Sequence, residues 1–204
     1  MILSGWIVFV MIGDSVTAGY QQGPGSRPPR HYPFTNLLES SLRMKLKGLG
    51  SEVDVAVENK GVNGDSTSGM VERFQRSVIP ERPNFVAIMG GLNDLFSRIP
   101  VEEVYTNLVK LTQLTKEAGA EPIMLSTTPV AGSPDFNAKI KDLNDRVAEY
   151  CTSNGVRFID LFTELLDEGV LAAAYSNDGV HISDKGYGKI ISVLAPLFLE
   201  LVTG

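Results

Sequence analysis

The sequence predicts a three-layer α/β/α sandwich built on a parallel sheet of roughly five strands. Three observations carry that prediction. Short apolar runs rich in β-branched residues alternate with stretches of helical period along the whole chain. Those runs are apolar nearly throughout rather than at every second position, as strands covered on both faces are. Strand-helix alternation also makes successive strands parallel, with the helices as covers. The 204 residues, 43% of them apolar, suffice for one large core. No repeat or linker divides them, and residues 1–204 read as a single domain.

The elements follow in order. Residues 6–12 read as a buried first strand, and Phe34, Leu37, Leu38, Leu42 and Leu46 then share one helical stripe. Residues 52–57 give a second strand, after which Thr67, Met70, Val71, Phe74 and Val78 recur at helical spacing. The third strand, residues 84–89, is entered from Pro83. Val101, Val104, Leu108 and Leu111 mark a helix that stops near Gly119. Residues 122–127 give the fourth strand. Ser133 before Pro134 reads as an N-cap with proline in the first turn. That helix runs toward Asn154-Gly155, a left-handed stop. Residues 156–161 form the fifth strand, and Ile190, Ile191, Leu194, Leu197, Phe198 and Leu201 stripe a last helix. Residues 21–30, rich in Gly and Pro, must be a loop.

Composition narrows the function. A net charge of −6 argues against nucleic acid or an anionic membrane as the main partner. Cys151 is the single cysteine, which rules out an intramolecular disulfide and leaves a buried, inert thiol as the better reading. Residues 1–12 are apolar but lack the basic start of a signal peptide and are too short to span a bilayer. The sequence as given therefore suggests a cytoplasmic protein without stable membrane insertion, or a periplasmic or secreted one if a signal peptide has been removed.

Parallel α/β sheets bind ligands at the carboxyl ends of their strands, which directs attention to the residues just after each strand. Those segments are Gly13-Asp14-Ser15, Asn63-Gly64-Asp65 and Gly91-Leu92-Asn93-Asp94, with Asp178-Gly179-Val180-His181 before the last helix. Acyl transfer needs a nucleophile, a base, a group that orients the base, and donors to the oxyanion. Ser15 can supply the first, His181 the second and Asp178 the third. The backbone N–H groups of Ser15 and Gly64 and the side-chain amide of Asn93 can supply the donors. Each segment has a plainer reading too. Gly-Asp-Ser can be a capping turn, Gly64 a turn glycine, Asn93 and Asp94 an N-cap pair, and Asp178 to His181 a surface turn. His31, the other histidine, fits a surface or helix-entry role. Asp14, Asp65 and Asp94 read as acceptors that brace loops.

Taken together, the four segments resemble the four sequence blocks of SGNH (GDSL-type) serine hydrolases, in their usual order, over residues 8–186. The resemblance implies a flavodoxin-like three-layer fold. It implies that Ser15, Gly64, Asn93 and His181 take the family's four named roles, with Asp178 as the acid. Val16 stands where the family's nickname has leucine, a change away from the chemistry. The expected activity is hydrolysis of a small-molecule carboxylic ester or thioester through an acyl-serine, with no cofactor and no metal. Short segments between the blocks suggest a shallow groove and short acyl chains, walled by residues 21–30 and 128–136. One alternative is a carbohydrate O-acetylesterase, which aromatic side chains such as Tyr20, Phe96 or Tyr175 at the site would favour. Others are a non-catalytic binding module and a flavodoxin-like nucleotide binder, but residues 13–19 lack the fingerprint of a nucleotide loop.

Overall fold

The structure, a computed structural model, describes residues 5–23 and 28–204. Strand β1 (Gly5–Gly13) passes through the single-turn helix α1 (Ser15–Ala18) into a hairpin of β2 (Tyr20–Gln21) and β3 (Arg30–His31). Next come α2 (Phe34–Gly48), β4 (Val53–Gly61), α3 (Thr67–Ser77), β5 (Phe85–Met89), α4 (Leu92–Phe96) and α5 (Val101–Glu117). Then follow β6 (Glu121–Leu125), α6 (Pro134–Ser153), β7 (Arg157–Ile159) and α7 (Leu161–Leu165). A second hairpin, β8 (Leu166–Asp167) with β9 (Val170–Leu171), precedes α8 (Asp184–Thr203).

Five strands pair in parallel in the order β4-β1-β5-β6-β7. The chain leaves β1 toward β4 on one side and returns toward β5 on the other. The loops that follow β1 and β5 therefore part at the carboxyl edge, which is where a doubly wound sheet opens its crevice. Alternate residues of the central strands serve opposite cores. Phe9, Met11, Phe85, Ala87 and Met89 pack with α2 and α8, while Val10, Ile12, Val86 and Ile88 pack with α3, α5 and α6. Every one of these residues is buried, which is why the runs look continuously apolar in sequence.

Several boundaries differ from the sequence reading, each for a physical reason. The second strand runs to Gly61, four residues beyond the predicted end, because Glu58 to Gly61 continue the register against Val10 to Gly13. As an edge strand it tolerates polar side chains there. The fourth strand ends at Leu125 and the fifth at Ile159, since Asp160 caps α7 through the Thr163 N–H. Trp6 is 60% exposed, under the Arg43 guanidinium, and Leu37 is 42% exposed beside the buried stripe Phe34, Leu38, Leu42 and Leu46. Ser133 occupies the cap position of α6 without a side-chain bond, and the left-handed stop lies at Gly155 (φ 62°), not at Asn154.

Among the described residues, α8 is the one helix long and apolar enough to cross a membrane. Its inner face nevertheless belongs to the core: Ile190, Leu194 and Phe198 are buried, and Phe198 stacks on Phe9 with centroids 4.5 Å apart. Cys151 is buried in α6, and burial pushes its thiol pKa up to about 11.

Candidate active site

Ser15 opens α1 at the carboxyl end of β1, and Asp14 caps that helix by accepting the Val16 N–H at 2.9 Å. Only glycine fits at position 13, because a Cβ there would lie 2.6 Å from the Met89 carbonyl oxygen and would collide with Thr17. This close approach seats the serine turn over the sheet, between β4 and β5. Val62 N–H donates to the Gly13 carbonyl at 3.0 Å and carries the loop after β4 alongside. Gly64 in that loop has φ 75°, a conformation that costs glycine little and other residues considerably more. The N–H groups of Ser15 and Gly64 meet no acceptor among the described residues.

Asn93 and Asp94 lie in the first turn of α4, whose cap position is held by Gly91. They do not form the N-cap pair. Asn93 Nδ2 donates one proton to the Asp65 carbonyl at 2.9 Å, which fixes the amide and leaves its second N–H available. Asp94 is buried and accepts from both the N–H and the hydroxyl of Thr67, with Oγ1 at 2.7 Å. Asp65 is held by Arg73, whose Nε donates to Oδ2 at 2.7 Å while Nη2 donates to the Gly13 carbonyl at 3.0 Å. One guanidinium thus ties the serine turn to the Gly64 loop, and the Asp65 carbonyl ties that loop to Asn93. The loop-bracing roles expected of Asp14, Asp65 and Asp94 are what the structure displays.

His181 and Asp178 come together in the segment before α8, with Nδ1 and Oδ2 at 2.7 Å. The other carboxylate oxygen accepts the N–H groups of Val180 and His181 at 3.0 and 2.8 Å. One carboxylate thus closes the turn and binds the imidazole. Burial opposes its charge, but the bonds from the imidazole and from those two N–H groups outweigh it and hold the Asp178 carboxyl below its ordinary value. An ionised acceptor at Nδ1 places the ring proton there and leaves a lone pair on Nε2. Ser176 Oγ further donates to the His181 carbonyl at 2.7 Å.

Three ties set this segment against the serine turn. Tyr187 Oη donates to the Val16 carbonyl at 2.8 Å, Gln21 Nε2 donates to the Ile182 carbonyl at 2.9 Å, and the Tyr20 ring meets the His181 ring edge-on at 4.6 Å. Among the described residues Ser15 Oγ has no hydrogen-bond partner, and no bond joins it to His181. Such bonds are commonly long before substrate binds. Asp14 feels both surroundings. Burial is the main cause that lifts its pKa to about 6, against the Val16 N–H bond and the nearby His181 charge.

Tyr20 borders the site through its contact with His181, and Phe96, half-exposed and three residues beyond Asn93, stacks on Phe136 at 4.6 Å. Tyr175 is partly buried against the core. His31 is exposed, yet its Nε2 lies 3.4 Å from Asn63 Nδ2 and its ring meets Tyr20. It therefore borders the site rather than serving helix entry. Of the expected wall at 21–30, residues 24–27 lie outside the described residues. Residues 128–130 are buried, and Asn137 pins them by a bond at each end of its amide. A cavity of about 560 Å³ exists elsewhere, lined by Lys116, Glu121 and Arg157 at the opposite edge of the sheet. Among the described residues no His/Cys/Asp/Glu cluster is placed to hold a metal ion. Sequence reasoning missed Arg73, Gln21 and Tyr187; only Arg73 left a trace, as a charged residue among the buried positions of a helix.

Comparison with known proteins adds a family. Residues 11–189 match the GDSL-like Lipase/Acylhydrolase family. An arylesterase of Vibrio mimicus is 28% identical over 134 residues, which are 66% of this chain and 60% of that protein's length. The fold is similar to a lipase/acylhydrolase from Enterococcus faecalis, with TM-score 0.74, 25% identity and 96% of each chain covered. It is also similar to an acetylxylan esterase from Geobacillus stearothermophilus, with TM-score 0.77, 22% identity, and 100% of this chain and 97% of that one covered.

Proposed function

The chain belongs to the GDSL-like Lipase/Acylhydrolase family, and we propose that it is a serine esterase with Ser15 as nucleophile, His181 as base and Asp178 as the base's partner. One observation carries the assignment: the Asp178–His181 pair, closed at 2.7 Å, is tied to the turn that presents Ser15 at the opening of the sheet. His181 Nε2 takes the Ser15 proton as Oγ attacks the ester carbonyl, and returns it to the leaving alcohol. Water, deprotonated by the same nitrogen, then releases the acid from the acyl-serine. Asp178 stays ionised and stabilises the imidazolium. The oxyanion is met by the N–H groups of Ser15 and Gly64 and by the second amide proton of Asn93, the first being held on Asp65.

The short segments between the four blocks support short acyl chains. Hydrolysis of p-nitrophenyl acetate, butyrate and decanoate, with Ser15→Ala alongside, tests both statements. We expect acetate or butyrate to be preferred and the variant to lose about 10⁴-fold or more in kcat while melting as the parent does. Full activity in a folded Ser15→Ala protein would sink the nucleophile, and a preference for decanoate would sink the short-chain reading.

A second reading, removal of acetyl groups from a carbohydrate, is favoured by the half-exposed Phe96 and by Tyr20 beside His181, since sugars lie on ring faces. A serine-to-alanine catalytic mutant is known for the acetylxylan esterase from Geobacillus stearothermophilus. Higher kcat/KM on acetylated xylooligosaccharides than on p-nitrophenyl acetate would select this reading.

A further inference from the structure

The hairpin that follows the serine turn has no place in the chemistry above, yet one of its side chains is buried against the segment that bears the base. Gln21, 2% exposed, has both ends of its amide engaged. Its Nε2 donates to the Ile182 carbonyl at 2.9 Å, and its Oε1 accepts from Arg30 Nε at 2.8 Å. Arg30 in turn donates through Nη2 to Asp184 Oδ1 at 2.6 Å. Gln21 and Arg30 face each other across the hairpin, as do Tyr20 and His31. From Ser15 the chain therefore runs through one helical turn and Gly19 into β2, whose second residue grips the carbonyl next to His181. The remaining carbonyl of the pair, that of His181 itself, is taken by Ser176 Oγ. The base's main chain is thus held from both sides, by its own turn and by the nucleophile's exit strand.

We infer that Gln21 is a positioning residue: its amide, oriented by Arg30, sets His181 at its working distance from Ser15. The inference rests on the esterase reading and adds to it a group that touches neither substrate nor reacting atoms. Its physical basis is that the Asp178 bond fixes the tautomer and the tilt of the imidazole but not the place of the whole segment. Asp178 lies three residues from His181 and travels with it. A reference point on the nucleophile's side is needed, and the Gln21–Ile182 bond supplies one. An ångström of misplacement between reacting groups can cost about 100-fold in rate.

Gln21→Met keeps the length and loses both hydrogen bonds. We expect kcat on p-nitrophenyl acetate to fall roughly 10- to 100-fold with KM changed less than about twofold. The downfield imidazole Nδ1–H resonance should persist, showing the Asp178–His181 pair intact but displaced. Gln21→Glu keeps the acceptor toward Arg30 and sets a carboxylate against the Ile182 carbonyl, so it should be no better than Gln21→Met. Arg30, 63% exposed, can be changed to Met with little threat to folding, and that variant should lose several-fold in kcat as the Gln21 amide loosens. If Gln21→Met does not fold, Arg30→Met decides alone. Unchanged kcat in the folded variants overturns the proposal. A fall accompanied by loss of the Nδ1–H signal, or full rescue by Gln21→Glu, overturns it as well. Failure of the esterase reading has a different signature, undiminished activity in Ser15→Ala.

Discussion

The charged side chains that brace the turn of Ser15 are buried, and those of the Asp178–His181 pair lie nearer the surface. Arg73 and Asp65, with side chains 8% and 11% exposed, join the serine turn to the Gly64 loop, while Asp94 and Thr67 close the other side of that loop out of contact with water. The side chains of Asp178 and His181 are each 24% exposed, and their segment is held by its own turn and, at Ile182, by Gln21. The difference suits the roles proposed for the two regions. Oxyanion donors stabilise charge only if they are fixed in advance, and in a low dielectric. A base must trade protons with the serine, a leaving group and water, and it needs some access to solvent. Substitutions should accordingly damage mainly the fold on the first side and mainly the chemistry on the second.

Asp178→Asn should show the largest effect. An asparagine can still accept the Val180 and His181 N–H groups through its oxygen, which keeps the turn. It sets an NH₂ group against Nδ1 and drives the ring to the wrong tautomer. We expect about a 10⁴-fold fall in kcat with a melting midpoint close to that of the parent, read by calorimetry. A large drop in melting temperature would mean that the exposed side also holds the fold, and the contrast between the two regions would fail.

Arg73→Met comes next, and it reads out in stability. It leaves the Asp65 carboxylate without its cation in a nearly dry site, and the Gly13 carbonyl with the Val62 N–H alone. Breaking a buried pair from one side costs about 3–5 kcal/mol, a fall of roughly 10 °C in the melting midpoint for a chain of this size. The double variant Arg73→Met with Asp65→Leu should recover much of the loss, since an apolar replacement of the whole pair is often neutral. No recovery would indicate that the ion pair is needed for the shape of the loop and not only for its own neutrality.

The same contrast explains what could be read in advance. Strands β1 and β5 were legible because they are buried on both faces, and the four chemical segments because each follows a strand or precedes α8. Polar residues 58–60 concealed the end of β4, whose pairing is dictated by β1 rather than by its own pattern. Arg73 gave a weak sign, being a charge on the inner side of α3. Gln21 and Arg30 gave none. A two-residue strand has no period, and a bond from position 21 to position 182 is set by topology alone. Turn and pair stood as alternatives at Asp178, since both call for the same residue types, and only the fold shows one carboxylate making both sets of bonds.

The smallest effect is expected where the two regions meet. Asp14 is buried beside Ser15 and senses the His181 charge, and its folded pKa of about 6 lies above the 3.8 of a free carboxyl. Between those values the native state holds a proton that the unfolded chain has released. Stability therefore falls as pH rises from about 4 to 6, and the penalty is fully present above that range. A shift of about two pH units corresponds to at most ~3 kcal/mol. Asp14→Asn removes the titration and keeps an oxygen for the Val16 N–H. It should be more stable than the parent at pH 7 by up to that amount, with the gap closing toward pH 4 in denaturant melts. The variant should also lose some activity, because an anion near the imidazolium favours the protonated base during attack. A variant that is both more stable and fully active would mean that the buried charge contributes nothing to the reaction, and the division between a structural and a chemical side would then run through Asp14 itself.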